Sequence, residues 1–162
     1  MVGEDEEKPY KLFHDDTLKT FCRRLSFSPD GLVLFTPCGL LELNEPSPSE
    51  AENPESVPVL KKENKKMNAT YAFTRNQHFA KPVVYYPSAD RYSVAVRCCP
   101  VLFELRSEQP SMYDIPYRMV FAVATQNSLL LYDTQQAAPF ARIARIHYTR
   151  LTDLSWYLRC FN

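Results

Sequence analysis

The chain has 162 residues in which 19 Lys plus Arg balance 19 Asp plus Glu, so no global field draws it to nucleic acid or a membrane surface. Apolar residues make up 45% of it, ten Tyr and ten Phe among them, which suits a β-rich core and excludes a wholly disordered tail. No apolar run approaches the ~18–20 residues that span a bilayer, and neither the acidic start at Met1–Glu7 nor the odd count of five Cys fits a secreted disulfide scaffold.

A protein without a membrane segment, kept inside the cell, is the expectation. Residues 1–9 read as an acidic disordered tail. Within 10–41, Leu25 and Phe27 alternate with Ser26 and Ser28, and Pro29-Asp30-Gly31 supplies turn chemistry before Leu32–Phe35. That is an opening hairpin.

Between 42 and 69 the character changes. Five Glu up to Glu55 and four Pro up to Pro58 are followed by Lys61, Lys62, Lys65 and Lys66, with no aromatic residue. Such composition buries too little apolar surface to offset its ordering entropy, so 42–69 is expected to be a disordered Pro/Glu/Lys insertion. Ser47-Pro48 inside it matches a proline-directed kinase acceptor, a short and unspecific signal. Strand character resumes at Thr70–Arg75 and again at Lys81–Tyr86, where Pro82 suits the start of an edge strand. Residues 70–91 complete the first unit.

The second unit, 92–150, opens at Tyr92–Pro100 and makes a long connection over 103–116. It continues through Tyr117–Ala124, a Gln126-Asn127 turn, Ser128–Tyr132 and an outer strand at Phe140–His147. Residues 151–162 restart the pattern at Leu151–Trp156. Four short strands per unit, with Phe73 and Tyr132-Asp133 standing where an aromatic-Asp pair closes the third strand, write a WD-repeat β-propeller blade. The fold class is therefore all-β, a partial propeller of about two four-stranded blades plus the start of a third. Propellers are mostly docking platforms, which favours binding over catalysis.

Several runs are more specific than the fold. Phe13–Asp16, Arg23–Gly31, Ala95–Pro100, Phe103–Arg106, Pro116–Arg118, Val120–Ala124 and Leu130–Gln136 closely resemble the family of WD-repeat middle subunits of chromatin assembly factor 1. The likeness covers roughly residues 10–156. The departures are Phe73 and Tyr132 in place of the blade-closing Trp, Gln126 in place of the preceding turn Asp, and an ending soon after Trp156 that marks a fragment or variant product.

The resemblance implies a non-enzymatic scaffold subunit of a nuclear histone chaperone that deposits histones H3 and H4 on newly replicated or repaired DNA. It implies as partners a large acidic subunit and a second WD-repeat histone-binding subunit, with DNA met only indirectly. The rivals are an adaptor of another complex, such as a ubiquitin ligase substrate receptor, or a truncated product without independent function.

No catalytic, cofactor or metal site is expected, and no individual binding residue is assigned. Cys98 and Cys99 are adjacent on a strand, point to opposite faces, and lack the spacing of a redox or zinc pair. His147 precedes Trp156 by the interval of a structural WD-repeat histidine, so it reads as a satisfied core histidine. His14 and His78 have no partner at ligand spacing. Arg142, Arg145 and Arg150 read as charges that protect an edge strand rather than a phosphate site.

Overall fold

The Ser28–Gly31 segment reverses the chain because each polar group in it finds a partner locally. Gly31 N–H donates to Ser28 O at 2.9 Å, Val33 N–H to the Ser28 hydroxyl at 2.9 Å, and Leu32 N–H to the Asp30 carboxylate at 3.0 Å. Gly31 sits at φ 71°, the left-handed region that only glycine enters without strain. This turn joins β1 (Ser26–Phe27) to β2 (Val33–Ser47), followed by β3 (Lys61–Thr74) and β4 (Pro82–Ser88). The second set is β5 (Ser93–Phe103), β6 (Arg118–Thr125), β7 (Ser128–Asp133) and β8 (Gln136–Ala144).

The computed structural model describes residues 11–18, 20, 23–47, 61–88 and 91–157. Among these, the strands form two four-stranded antiparallel sheets in chain order, β1-β2-β3-β4 and β5-β6-β7-β8. The fold is a partial β-propeller whose sheets do not close a ring. The first strands of the two sheets lie side by side, since Arg24 bridges Ala95 in parallel with backbone bonds to Val94 and Val96 at 2.9 Å. Ladder registers then place the 28–31 turn, the 75–81 turn and the 104–117 connection at one end, here the lower end. The end of β4, the start of β5 and the 126–127 turn lie at the upper end.

Residues 12–14 extend the first sheet above β1, through a Phe13–Gly39 bridge and bonds from His14 N–H to Cys38 O and Leu40 N–H to Leu12 O. Beside them β2 bulges between Thr36 and Gly39, with Cys38 at φ 61°. Gly39 is required by close approach: a Cβ there would lie 2.7 Å from both Ala69 O and the Tyr71 ring.

Two expectations change on contact with the structure. Residues 42–47 and 61–69, expected within a disordered insertion, belong to a long β2–β3 ribbon that pairs from Val33–Thr74 out to Ser47–Lys61. The rest of that stretch, 48–60, lies outside the described residues. Composition is averaged along the chain, whereas a ladder pairs individual residues across it. Glu42 faces Lys66 and pairs with it at 3.2 Å, and Leu41 faces Met67. The second change is at Leu151–Tyr157, where no strand forms. A strand needs a ladder partner, and this segment is held instead by single contacts, Leu151 N–H to Gln126 O and the Trp156 indole to Arg97 O, each 2.9 Å.

The core lies in the seam between the sheets. Phe35 from β2 stacks on Phe121 from β6 at 4.3 Å between ring centroids, and Phe121 stacks on Tyr132 at 5.4 Å. Tyr86 from β4 meets Phe121 and Tyr132 edge-on at 4.9 and 5.1 Å. Val33, Val96, Met119 and Val123 fill the space around the rings. Leu25 and Phe27, by contrast, are about half exposed, because the pleat that turns Ser28 inward turns them out.

Replacing Phe121 by Ala removes a ring with three aromatic neighbours and leaves a cavity in the seam. The expected cost is about 3–5 kcal/mol, read as a lower urea midpoint; a midpoint equal to the parent chain's would show that the seam is not the core.

Candidate interaction surface

The lower end is organised by one buried carboxylate. Asp133 ends β7 fully buried and meets the guanidinium of Arg106 at 2.6 Å and that of Arg118 at 3.4 Å. Arg118 in turn lies over the Phe103 ring at 5.1 Å. Gln135, two residues on, holds the start of the long connection: its side-chain carbonyl accepts Arg106 N–H at 2.8 Å, and its amide donates to Arg106 O and Gln109 O at 3.2 and 2.8 Å. Thr134 accepts Met119 N–H at 3.0 Å. The turn after β7 is thus a latch for 104–117.

That connection crosses to the first sheet. Tyr113 and Tyr86 join hydroxyls at 2.9 Å in the buried seam, where burial raises the pKa of each phenol. Tyr117 donates its hydroxyl proton to Asp30, the residue at the tip of the β1–β2 turn. Burial pushes the Asp30 carboxyl up, but bonds from Ser28, Tyr117 and Leu32 N–H outweigh it and hold the group below its ordinary value. Tyr117 is pushed up to about 12, chiefly because its proton is committed to that carboxylate. Beside this clamp a notch of about 210 Å³ opens between the sheets, walled by Val83, Met112 and Ile115 and edged by Asn76, Gln77 and Asp114.

At the upper end Ser93 ties the sheets together. Its hydroxyl accepts from Cys38 N–H and from Thr70, both at 3.0 Å, while the Cys38 thiol donates to Ser93 O at 2.9 Å. Gln126 donates to the Tyr92 hydroxyl, which fixes the β6–β7 turn against the residue that leads into β5. A second notch of about 230 Å³ opens here, with Tyr132 and Leu130 at its base and Arg91 and Arg142 in its lining. Along β5, Asp153 bridges Arg97 at 2.9 Å and Arg24 at 3.5 Å.

The sequence that builds this architecture matches known proteins. Residues 2–159 match the family described as the CAF1B/HIR1 beta-propeller domain. The chain belongs to that family. It is 44% identical to the B subunit of mouse (Mus musculus) chromatin assembly factor 1 over 94% of its own length, and 40% identical to the chicken (Gallus gallus) protein over 95%. The corresponding protein of Schizosaccharomyces pombe is 38% identical over 91% of the chain. The chain spans about a quarter of the length of these curated relatives, 25% of the mouse and chicken proteins and 27% of the yeast one.

Set on this CAF1B/HIR1 propeller segment, the residues singled out in the sequence separate. Cys98 and Cys99 follow one another along β5, and burial pushes the Cys98 thiol up to about 12, away from a nucleophilic thiolate. Cys38, also buried, is pushed up to about 11. His147, expected as a core histidine, is exposed beyond β8. Gln126, which stands in place of the turn Asp of the WD pattern, bonds Tyr92. His14 bonds Asn68 at 2.8 Å, and His78 is exposed in the left-handed region after the 75–77 turn. Arg142 lies on the outer strand β8 as expected of an edge charge, with Arg145 just beyond it. Sequence reasoning gave no role to Arg106, Arg118, Gln135 or Tyr117. Their three runs, Phe103–Arg106, Pro116–Arg118 and Leu130–Gln136, stood out only as family signatures; the structure gathers all three around Asp133, and Tyr117 links them to Asp30 in the run Arg23–Gly31.

Asp133→Ala leaves Arg118 part-buried without its counter-charge, and the expected destabilisation is about 3 kcal/mol; faster proteolysis of 104–117 than of the sheets is the accompanying sign, and equal rates would refute the latch. The Asp30–Tyr117 clamp carries a pH signature. A carboxyl with a lowered folded pKa stabilises the fold above its unfolded value, near pH 4, and that stability is lost as pH falls through the folded value. Tyr117→Phe should therefore cost about 0.5–1.5 kcal/mol at neutral pH and much less in acid. A penalty independent of pH between about 7 and 3 would show that the hydroxyl does not act through Asp30.

Proposed function

We propose that this chain is the blade-bearing part of a non-enzymatic scaffold subunit of a nuclear histone chaperone that deposits histones H3 and H4 on newly replicated or repaired DNA. Its partners in this reading are the large subunit of the chaperone, a second WD-repeat histone-binding subunit, and the histones themselves, through which DNA is met indirectly. The observation that supports the reading most is the family match over residues 2–159, joined to relatives at 38–44% identity that are named as B subunits of chromatin assembly factor 1.

The physical arrangement supports a scaffold. Two sheets locked by a ring stack, by the Asp133 latch and by the Tyr117–Asp30 clamp present fixed surfaces at both ends of the seam. The described thiols with shifted pKa are held protonated by burial.

An epitope-tagged copy of the chain, expressed in cells and recovered from nuclear extract, is expected to bring down H3, H4 and the large chaperone subunit. Recovery with a cullin-type ligase and without histones would replace this reading by that of a substrate adaptor. Recovery with neither would favour a product without independent function.

A further inference from the structure

The notch beside the Tyr117–Asp30 clamp joins an apolar interior to polar side chains that have nothing to bind. Val33 and Tyr113 are buried beneath it, and part-buried Val83, Met112 and Ile115 wall its volume of about 210 Å³. Asn76, Gln77 and Asp114 stand exposed at its edge, and none of these side chains makes a hydrogen bond or ion pair among the described residues. The lining and the two loops that carry it, 75–81 and 104–117, lie wholly within the described residues.

Both rims are held by backbone bonds. In the 75–81 turn, Arg75 N–H donates to Leu32 O at 2.8 Å, His78 N–H to Arg75 O at 2.8 Å and Phe79 N–H to Thr74 O at 3.1 Å. His78 and Phe79 are both left-handed there, at φ 53° and 55°. Across the notch, Tyr113 is anchored inside by Tyr86, and Ile115 N–H closes on Tyr113 O at 2.9 Å, which leaves Asp114 between them in solvent.

We propose that this notch seats one large aliphatic side chain of an extended partner segment, with a neighbouring Lys or Arg of that segment against Asp114. The walls supply the apolar area that such a side chain removes from water. The Asn76 and Gln77 carboxamides each offer a donor and an acceptor, the pair that an extended backbone needs. Asp114 sets the sign of the guest, being the charged residue of the lining. Arg75 is committed to Gly31 O at 3.0 Å and to the Phe79 ring at 5.5 Å, and Lys81 stands outside the lining. Nucleic acid is disfavoured, because the carboxylate repels phosphate and Tyr113, the aromatic ring of the lining, is buried. A site whose rims are already fixed loses little conformational freedom when it fills.

The proposal does not rest on the chaperone reading, and recovery of histones and binding at this notch can fail separately. The test is an amide-detected NMR titration of the isotope-labelled whole chain with a short glycine–serine peptide carrying a central Lys-Leu-Lys. Glu-Leu-Glu and Lys-Ser-Lys counterparts are titrated beside it. The Lys-Leu-Lys peptide is expected to shift the side-chain amide signals of Asn76 and Gln77 and the backbone signals of residues 112–115. Affinity should fall about tenfold with the Lys-Ser-Lys peptide and about threefold or more in Asp114→Lys. Asp114 is exposed and unpaired, so that variant should keep the parent spectrum away from the notch. Lys81→Glu should not weaken binding. No shift at these signals, equal or tighter binding of the Glu-Leu-Glu peptide, or an affinity unaltered by Asp114→Lys would overturn the proposal. So would equal affinity for the Lys-Ser-Lys peptide, which would mean a charge contact with no seated side chain. Line broadening at the same signals that grows with protein concentration in the absence of peptide would assign the notch to a second copy and overturn the proposed partner.

Discussion

Phe35 stacked on Phe121 across the seam is the contact around which everything else in the molecule is arranged. A four-stranded sheet of this length has two faces and is not independently stable while both stay wet. The two sheets bury one face each against the other, and aromatic rings do most of the filling: Phe35 and Tyr86 from the first sheet, Phe121 and Tyr132 from the second. Rings that meet stacked or edge-on add specific geometry to the burial of apolar area. The seam therefore sets both the spacing and the orientation of the sheets, and through them the shape of the notches at either end.

Polar contacts then fix what the rings leave free. Antiparallel ladders hold each sheet internally but say nothing about the long connection from β5 to β6, which has no strand partner. Asp133 resolves this by drawing Arg106 and Arg118 to one buried carboxylate, while Gln135 bonds the backbone at residues 106 and 109. Buried charge is costly unless it is paired and hydrogen-bonded, so such a latch accepts only one arrangement of the loop. Tyr117 extends the same logic between sheets, since its bond to Asp30 connects the latched loop to the first turn of the chain. At the opposite end Ser93 performs the comparable task with neutral groups, receiving Cys38 N–H and the Thr70 hydroxyl.

In the proposed reading these features serve as a platform. The two ends differ in character: the lower notch offers carboxamides and one carboxylate over aliphatic walls, the upper one arginines over proline, leucine and tyrosine. A scaffold that must hold several chains at once benefits from such separation, because different partners can be seated without competing for one surface. Leu25 and Phe27 remain half exposed on the side of β1, a further apolar face that the described strands leave uncovered.

Most strands, their order and the turns could be read directly from the residues, because each depends on near neighbours: the apolar run Met119–Ala124, the hydrogen-bond acceptors Ser28 and Asp30 beside Gly31, the Gln126-Asn127 corner. Pro82 marked the start of an edge strand for an equally local reason. The family was legible too, because runs such as Ala95–Pro100 and Leu130–Gln136 are specific as strings of residues. Which distant side chains meet was settled by folding alone. The acidic and basic blocks of 42–47 and 61–69 look unstructured when read along the chain, yet a ladder sets Glu42 beside Lys66. His147 has the spacing of a core histidine, yet it lies exposed beyond the end of β8. Arg106, Arg118 and Asp133 lie apart in sequence and became one site only when β7 returned alongside β6. Burial and pairing of charge are properties of closed space, and a linear pattern of residue types does not contain the closure.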